Sequence, residues 1–168
     1  MTNMRKCTFN EVHKIHDLMT YIDDIIRDDS IFDLDDIEFV KRHIKATGFT
    51  VGVFDNERLI AFLIVRIPNK EKDNLGYNLE IKELDKVIHM ESLGVHPDYR
   101  GKGLQKKMIR YAEKLLEEGK YKYLTCTVSP KNTHSLKNFQ ALGYEIELKA
   151  KKYDGYQRYI LKKIVKNK

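Results

Sequence analysis

Polar and apolar residues in the first third of the chain follow a pattern that predicts a short strand and then two helices. The strand covers Arg5–Phe9, and Asn10 is placed to cap the helix that follows it. A second helix is predicted to begin near Asp35 or Asp36 and to end at Gly48. Both helices carry apolar residues at intervals of three and four positions, namely Val12, Ile15, Leu18, Met19, Ile22, Ile25 and Ile26 in the first and Ile37, Val40 and Ile44 in the second.

Two runs rich in β-forming residues come next and predict a hairpin. They are Phe49–Phe54 and Leu59–Ile67, and the four polar residues between them form the predicted turn. The second run is apolar at almost every position, which is typical of a strand covered on both faces, so we expect helices on each side of the sheet. Residues 68–85 are polar and irregular, and so long a loop in a compact domain is often functional.

The second half of the chain alternates strands with helices. The predicted elements are a strand at Val87–Val95, a helix at Leu104–Glu118 closed by Gly119, a strand at Tyr121–Val128, a helix at Asn132–Leu142, and strands at Tyr144–Lys149 and Gln157–Val165 joined by an Asp154-Gly155 turn. We therefore predict an α/β (α+β) fold. Its sheet is mixed, mostly antiparallel and twisted, with six to seven strands flanked by about four helices.

The composition is that of a soluble globular domain. With 168 residues, 42% of them hydrophobic, the chain has the size of one domain and enough apolar residues for a core, so we expect one domain over residues 1–168. No apolar stretch is long enough to cross a bilayer or to serve as a secretion signal, so export and membrane insertion are not expected. Cys7 and Cys126 lie far apart without a CxxC partner, which indicates neither a disulfide framework nor a metal site and fits the cytoplasm.

The net charge of +6 is unevenly distributed. Residues 11–38 contain ten acidic residues and two basic ones, a net charge of −8, so the rest of the chain carries +14. A basic body attracts polyanions such as nucleic acid or a phosphorylated cofactor, whereas the acidic segment favours cationic small molecules. Most of these charges are also compatible with ordinary solvated helix faces.

Residues 95–105 combine a strand end, a glycine-containing loop and a helix start. Backbone N–H groups in the first turn of a helix have no intrahelical acceptor, and the helix dipole is positive there, so this architecture binds anions. Gly101 and Gly103 let the backbone approach a phosphate closely, and Arg100 and Lys102 add positive charge. The segment is therefore a candidate phosphate-binding loop.

Two common phosphate-binding signatures do not match this loop. The P-loop sequence GxxxxGK[ST] is absent, and the dinucleotide fingerprint GxGxxG fails because Lys106 replaces its third glycine. Instead, the run from Arg100 to Gln105 resembles the R/Q-x-x-G-x-G/A signature of the GNAT superfamily of N-acetyltransferases, with Gln105 in place of the last Gly or Ala. The run from Asn132 to Tyr144 is similar to the family's second motif, N-x-x-A/S-x-x-L-Y-x-x-x-G-F/Y.

This resemblance, over roughly residues 87–144, implies a GNAT-like single domain with acetyl-CoA as acetyl donor. It implies that acetyl-CoA lies where the strand ending at Val95 parts from the strand Tyr121–Val128. The implied binding positions are Leu93, Gly94, Val95, Arg100, Gly101, Lys102, Gly103, Leu104, Gln105, Lys106, Asn132, Ser135 and Phe139. In the family, the backbone at positions matching Leu93 to Val95 holds the pantetheine and polarises the thioester carbonyl.

One departure from the family pattern concerns the leaving group. The Tyr thought to protonate the CoA thiolate in the family corresponds here to Phe139, which has no hydroxyl. Tyr99, His134, Tyr144 and Tyr153 are candidate replacements, and the sequence does not choose among them. Either another group or water supplies the proton, or the chain binds acetyl-CoA without turning it over.

The strand Val87–Val95 carries the candidate catalytic base. Strict alternation places His89 and Glu91 on one face together with Leu93 and Val95. Acetylation needs a neutral amine, and a His, or a carboxylate whose pKa is raised by burial, can take the proton near neutral pH. The resemblance places bases at both positions, and we favour Glu91, although ordinary cross-strand partners would explain either side chain equally well.

The sequence thus predicts a cytoplasmic acetyl-CoA-dependent N-acetyltransferase, a monomer or homodimer with no metal, nucleic-acid or membrane partner. We expect direct transfer to a small-molecule amine or peptide amine, since a strand cysteine such as Cys126 usually belongs to a core. The acidic segment indicates a cationic acceptor such as a polyamine, an aminoglycoside, or a lysine or N-terminal amine. The alternative suggested by Phe139 is a non-catalytic acyl-CoA-binding or sensing module. A nucleic-acid-binding domain, suggested by the pI of about 9.1, has no recognisable motif in the chain.

Overall fold

A seven-stranded sheet organises the computed structural model, which describes residues 1–152 and 155–166. The strands are β1 (Thr2–Lys6), β2 (Gly48–Asp55), β3 (Arg58–Arg66), β4 (Val87–Val95), β5 (Tyr123–Val128), β6 (Glu145–Lys152) and β7 (Tyr156–Ile164). The helices are α1 (Val12–Ile26), α2 (Ile37–Lys45), α3 (Leu75–Asn78), α4 (Leu104–Leu115) and α5 (Thr133–Ala141). The strand order is β1-β2-β3-β4-β5-β7-β6, and every neighbouring pair is antiparallel except β4 and β5. The predicted mixed sheet and its four main helices are confirmed, and α3 is an additional single turn.

The first strand and the first cap lie elsewhere than predicted. β1 ends at Lys6, and Phe9–Glu11 form a 3-10 turn rather than the end of a strand. The cap is Thr8 and not Asn10, because the Thr8 hydroxyl accepts a hydrogen bond from the Asn10 backbone N–H while the Glu11 carboxylate accepts one from Thr8. This reciprocal pair is a capping box, and the Thr-x-x-Glu spacing is its signature in the sequence.

The start of α2 is confirmed and its end is corrected. Asp36 caps the helix, since its Oδ1 accepts a hydrogen bond from the Phe39 backbone N–H at 2.8 Å. The helix ends at Lys45, and Gly48 opens β2 instead of ending the helix. A Cβ at Gly48 would lie 1.9 Å from the Val65 carbonyl oxygen, so glycine is needed there for strand pairing.

Other element boundaries differ from the predicted ones by a few residues. α4 ends at Leu115 rather than Glu118, and β5 begins at Tyr123 rather than Tyr121. The 68–85 loop contains α3 and a 3-10 turn. Asp154 of the predicted last turn lies outside the described residues.

Helices cover both faces of the sheet, as the apolar β3 sequence predicted. Phe62 and Ile64 of β3 pack with α1 and α2 on one face, whereas Leu63 and Val65 pack with α4 on the other. Cys126 is buried in the α4 core, and burial raises its pKa well above the usual range, in keeping with a core residue. No helix in the described part of the chain is long and apolar enough to cross a bilayer.

A β-bulge interrupts β4 at Glu91. Ser92 pairs with Ile64 of β3, and Met90 pairs with the next β3 residue, Val65. Glu91 is therefore an extra residue on β4 with no partner position on β3.

The bulge changes which side chains share a face of β4. Met90 packs in the α4 core before the bulge, and Leu93 and Val95 pack against the same core after it. The prediction that His89 and Glu91 share one face with Leu93 and Val95 was therefore wrong. It assumed a strict period of two residues, which a bulge shifts by one position.

The two parallel strands separate after a short paired segment. Val87–His89 of β4 pair with residues 123–125 of β5, and within the described residues no further pairing joins the two strands although both continue. The gap between residues 90–95 of β4 and residues 126–128 of β5, hereafter the cleft, lies where the resemblance implied that the strands part.

Candidate active site

A cavity of about 490 Å³ opens at the cleft. Its walls come from the loop between α1 and α2, from α2, from the ends of β3, β4 and β5, and from the start of α5. Five carboxylates and three arginines among the described residues provide its charged lining, and these are Asp33, Asp35, Glu71, Asp73, Glu91, Arg42, Arg66 and Arg158. Acidic groups thus outnumber basic ones at this end of the sheet.

His89 lies buried beneath the cavity with both ring nitrogens engaged. Its Nε2 accepts a hydrogen bond from the Leu75 backbone N–H of α3 at 3.0 Å, so the ring proton resides on Nδ1. Nδ1 in turn donates to Oε2 of Glu91 at 3.1 Å. Because its single lone pair is occupied, His89 is placed to orient Glu91 rather than to take a proton, contrary to the expectation that it could be the base.

Glu91 faces the cavity with 13% of its side chain exposed. Burial acts to raise its pKa, but the hydrogen bond from His89 and the positive charge of Arg66, 3.4 Å from Oε1, outweigh burial and lower the pKa. The expectation that burial raises the pKa of this carboxyl was therefore wrong. Glu91 is an ionised carboxylate at neutral pH.

Arg66, the last residue of β3, binds carboxylates of the loop that follows β3 and so holds this loop at the cavity. Its guanidinium donates two hydrogen bonds of 2.7 Å to Asp73 and also contacts Glu71. Burial opposes its charge, yet these carboxylates and Glu91 raise the pKa of Arg66. The sequence analysis missed this residue, although an arginine within a run of apolar strand residues is a signal for a buried, paired charge.

Asp35, in the loop between α1 and α2, is a second carboxylate that the sequence analysis did not place in the site. It lines the cavity together with Ser92, the residue after the bulge, whose side chain acts to lower the pKa of Asp35. Burial, and then the negative charges of Glu91, Asp33 and Asp36, raise the pKa of Asp35 to about 7. Nothing in the sequence distinguishes it from the other acids of its segment.

His43 of α2 is a neutral imidazole on the same cavity wall. Its Nδ1 lies 2.7 Å from the Phe39 carbonyl oxygen, which fixes the ring proton on Nδ1. Burial is the main cause that lowers the pKa of His43, so the ring is uncharged near neutral pH. The ring therefore presents a neutral edge to the site.

Most of the acidic segment serves the fold rather than the cavity. Of its ten acidic residues only Asp33 and Asp35 line the cavity. Glu11 pairs with Arg5 at 3.1 Å and Asp36 caps α2. The net charge of the segment therefore indicated an acidic site but did not identify the residues that line it.

Side chains from β7 and from the segment after β5 hold the loop between α1 and α2 at the cavity. Lys131 donates to the Ser30 hydroxyl at 3.1 Å, just beyond the end of β5. Arg158 of β7 reaches the backbone oxygens of Asp29 and Ile31 at 3.4 and 3.5 Å. Asp33 and Asp35 are thereby positioned above the cleft.

The glycine loop lies at the start of α4 with its outer side open. Gly101 and Gly103 have φ angles of +79° and +71°, a region that favours glycine. A Cβ at either position would meet no other protein atom within 4 Å, and Arg100 and Lys102 are exposed beside it. The open surface, the positive charges and the free N–H groups of the first turn of α4 fit the pyrophosphate of acetyl-CoA.

Gln105 and Asn138, two departures from the family pattern, are hydrogen-bonded to each other. Asn138 Nδ2 donates to Gln105 Oε1 at 3.0 Å, and Gln105 Nε2 donates to Ser135 Oγ at 2.8 Å. The Gln105 side chain therefore points towards α5 and leaves its backbone N–H to the glycine loop. Asn132 caps α5 by accepting a hydrogen bond from the Ser135 backbone N–H at 3.2 Å.

Phe139 lines the cavity, so this position presents a ring without a hydroxyl. Tyr144 does not replace it, because Tyr144 is buried in the α4 core with its hydroxyl held by α4. Tyr99 and His134 also lie outside the cavity lining, and Tyr153 lies outside the described residues. Of the four candidates, the three that the structure describes therefore do not line the cavity beside Phe139.

Comparisons with known proteins agree with this architecture. Residues 10–144 match the profile of the acetyltransferase (GNAT) family. Among solved structures, Arabidopsis thaliana NAA60 in complex with a bisubstrate analogue has a TM-score of 0.77 at 14% identity, covering 100% of both chains. Arabidopsis thaliana Naa50 with the bisubstrate analogue CoA-Ac-MVNAL has a TM-score of 0.71 at 15% identity, covering 96% of this chain and 97% of the other. The aminoglycoside acetyltransferase AAC(6')-Ib in complex with coenzyme A and kanamycin has a TM-score of 0.69 at 14% identity, covering 98% and 95%. None of the curated protein sequences compared matches this chain.

Proposed function

Because the chain belongs to the acetyltransferase (GNAT) family, whose acetyl donor is acetyl-CoA, we propose that it transfers an acetyl group from acetyl-CoA directly to a primary amine of a cationic acceptor. The observation that carries this proposal is the acidic cavity at the cleft. It places carboxylates beside the strand edge that, in the family resemblance, holds the thioester. A cation entering from the α1–α2 side meets these charges first.

The proposed donor site runs from the glycine loop to the cavity. Acetyl-CoA supplies an activated thioester, and the chain binds and orients it. We assign the pyrophosphate to the backbone N–H groups and nearby charges at Arg100, Gly101, Lys102, Gly103, Leu104, Gln105 and Lys106, the pantetheine to Leu93, Gly94 and Val95, and the acyl end to the surroundings of Asn132, Ser135 and Phe139.

The proposed acceptor site is the acidic side of the same cavity. The ionised Glu91 binds the acceptor's ammonium group, and His89 holds Glu91 in place through its Nδ1–H. The acceptor classes that fit this charge are polyamines, aminoglycosides, and lysine or N-terminal amines. The kanamycin complex of the aminoglycoside acetyltransferase and the bisubstrate analogues of the plant proteins support amines of these kinds. We further propose that the protein acts in the cytoplasm as a monomer or homodimer.

An amine panel tests this function. Purified protein and acetyl-CoA are incubated with spermidine, kanamycin, a peptide with a free N-terminus and a lysine peptide, and with aniline as an uncharged control. We expect thiol release, together with acetylated product in the mass spectrum, for at least one cationic amine and not for aniline. Tight binding of acetyl-CoA without thiol release for any amine would contradict the proposal and favour a sensing module.

A further inference from the structure

Asp35 occupies a position in the cavity that no family motif assigns. It reaches the site from the loop between α1 and α2, and both Asp35 and Ser92 of β4 line the cavity. Ser92 directly precedes Leu93, whose backbone is proposed to polarise the thioester carbonyl. The Asp35 carboxylate therefore lines the same cavity as Leu93.

We propose that Asp35 is the catalytic group that removes the proton from the acceptor's ammonium. This inference rests on the proposed function and names the base of that same site. Its geometric support is its place on the cavity wall, beside Glu91 and Ser92 in the lining, and the loop that Lys131 and Arg158 hold at the cleft.

The other candidates in the cavity are less suited to hold this proton. Glu91 is committed to His89 and Arg66, and its pKa is lowered. The lone pair of His89 is occupied by the Leu75 backbone N–H. His43 is a neutral ring whose pKa is lowered mainly by burial, which weakens it as a base.

The surroundings of Asp35 make it a base suited to neutral pH. Burial and nearby carboxylates raise its pKa to about 7, near the value at which general-base catalysis is most effective. The carboxylates that raise its pKa are Glu91, Asp33 and Asp36. The other charged or titratable groups that line the same cavity are Arg42, His43, Arg66, Glu71, Asp73 and Arg158.

The proposed step balances in protons and electrons. The acceptor enters as an ammonium ion and gives one proton to the Asp35 carboxylate, which frees the nitrogen lone pair. That lone pair forms the C–N bond to the thioester carbonyl carbon, and the electrons of the C–S bond leave with the sulfur of CoA. The nitrogen gives its second proton to water, and water gives a proton to the thiolate, since Phe139 has no hydroxyl to supply one. Asp35 then returns its proton to water.

The test compares Asp35→Asn with Asp24→Asn, a matched control on the exposed side of α1. We expect kcat/KM of Asp35→Asn to fall about 100-fold or more at neutral pH, and its pH profile to lose the wild-type inflection near pH 7. Its rate recovers at high pH because solvent then deprotonates the amine. Asp24→Asn keeps the wild-type rate and profile. An Asp35→Asn variant with the wild-type rate and inflection would overturn the proposal, as would loss of the inflection in His43→Gln alone.

A titration that needs no turnover separates this proposal from the proposed function. The Asp35 carboxyl carbon is followed by ¹³C NMR and assigned by its absence from the Asp35→Asn spectrum. A midpoint near pH 7 supports Asp35 as the base, and a midpoint near the ordinary value of about 3.9 overturns it. Failure of every amine on the panel, with acetyl-CoA still bound, would instead contradict the proposed function.

Discussion

Asp35 and Glu91 are carboxylates of one cavity whose surroundings move their pKa values in opposite directions. Glu91 accepts hydrogen bonds from a buried histidine and an arginine, which stabilise its charge. Asp35 is half-buried near other carboxylates, and burial together with their negative charge raises its pKa. Two acids separated in this way take different roles, one binding a cation and the other exchanging a proton.

Replacing Glu91 with Gln separates these roles. We expect the KM for the amine to rise about tenfold or more, because a charge-assisted hydrogen bond to the ammonium is lost, while acetyl-CoA affinity stays the same. The inflection near pH 7 moves to lower pH, since the charge of Glu91 no longer opposes ionisation of Asp35. Steady-state kinetics across pH measure both effects, with the exposed Glu118→Gln as control. An unchanged KM would remove Glu91 from the acceptor site.

The sequence predicts the glycine loop as a candidate phosphate site because the spacing of its residues is a local pattern. The bulge at Glu91 and the position of Asp35 depend instead on the pairing of β4 with β3 and on how the α1–α2 loop folds over the sheet. Such tertiary features do not change the periodic pattern of apolar residues, so the sequence alone does not indicate them.

At the scale of elements, the glycine loop and α4 form one unit. Gly103 and Gly119 both have positive φ and open space around a Cβ, but only Gly103 lies at the start of α4. We expect Gly103→Leu and Gly119→Leu to lose similar stability, about 1–2 kcal/mol, from backbone strain. Only Gly103→Leu should weaken acetyl-CoA binding, because its side chain occupies the phosphate surface. Calorimetric titration of both variants checks this, and equal affinities would argue against the phosphate assignment of the loop.

The contact between α4 and α5 also contributes to stability at the scale of elements. Gln105 and Asn138 stand where the family has other residues, and each compensates for the other by a hydrogen bond. We expect Gln105→Ala and Asn138→Ala each to reduce the free energy of unfolding by about 1–2 kcal/mol. The double variant should lose less free energy of unfolding than the two single variants added together, because both single variants remove the same hydrogen bond. Urea unfolding of the four proteins gives the coupling, and strictly additive losses would show that the bond contributes nothing.

At the scale of the whole molecule, the raised pKa of Asp35 predicts a pH-dependent cost in stability. The folded protein holds the Asp35 proton up to about pH 7, whereas the unfolded chain releases it near its ordinary pKa. Between these values the folded state binds more protons, so the free energy of unfolding contributed by Asp35 falls as pH rises.

Asp35→Asn removes this dependence. Its stability relative to wild type should grow between about pH 4 and about pH 7 and then level off. Urea unfolding at several pH values measures the difference, with Asp24→Asn as the variant that shows no such trend. A constant difference across this range would mean that Asp35 ionises normally in the folded protein.

The order of strands and helices was predictable because each element carries its own apolar period and its own stops. The almost entirely apolar β3 sequence correctly predicted helices on both faces, and the strand–helix–strand run over 87–128 contains the parallel pair β4–β5. Errors concerned caps, element ends, the bulge and the short helix α3 within the 68–85 loop, where local hydrogen bonds override the period. The sequence shows that the first two helices and their junction are acidic, but it does not show which of these acidic residues line the cavity and which stabilise the fold.

Acetyl-CoA binding at the cleft underlies every role assigned here, and calorimetric titration of the wild-type protein tests it most directly. We expect saturable binding of acetyl-CoA at a single site, with affinity well above that of ATP and NADH, which carry phosphates but no pantetheine thioester. No heat with acetyl-CoA, or equal affinity for ATP, would contradict the account, because the glycine loop would then be a general anion site or no site at all.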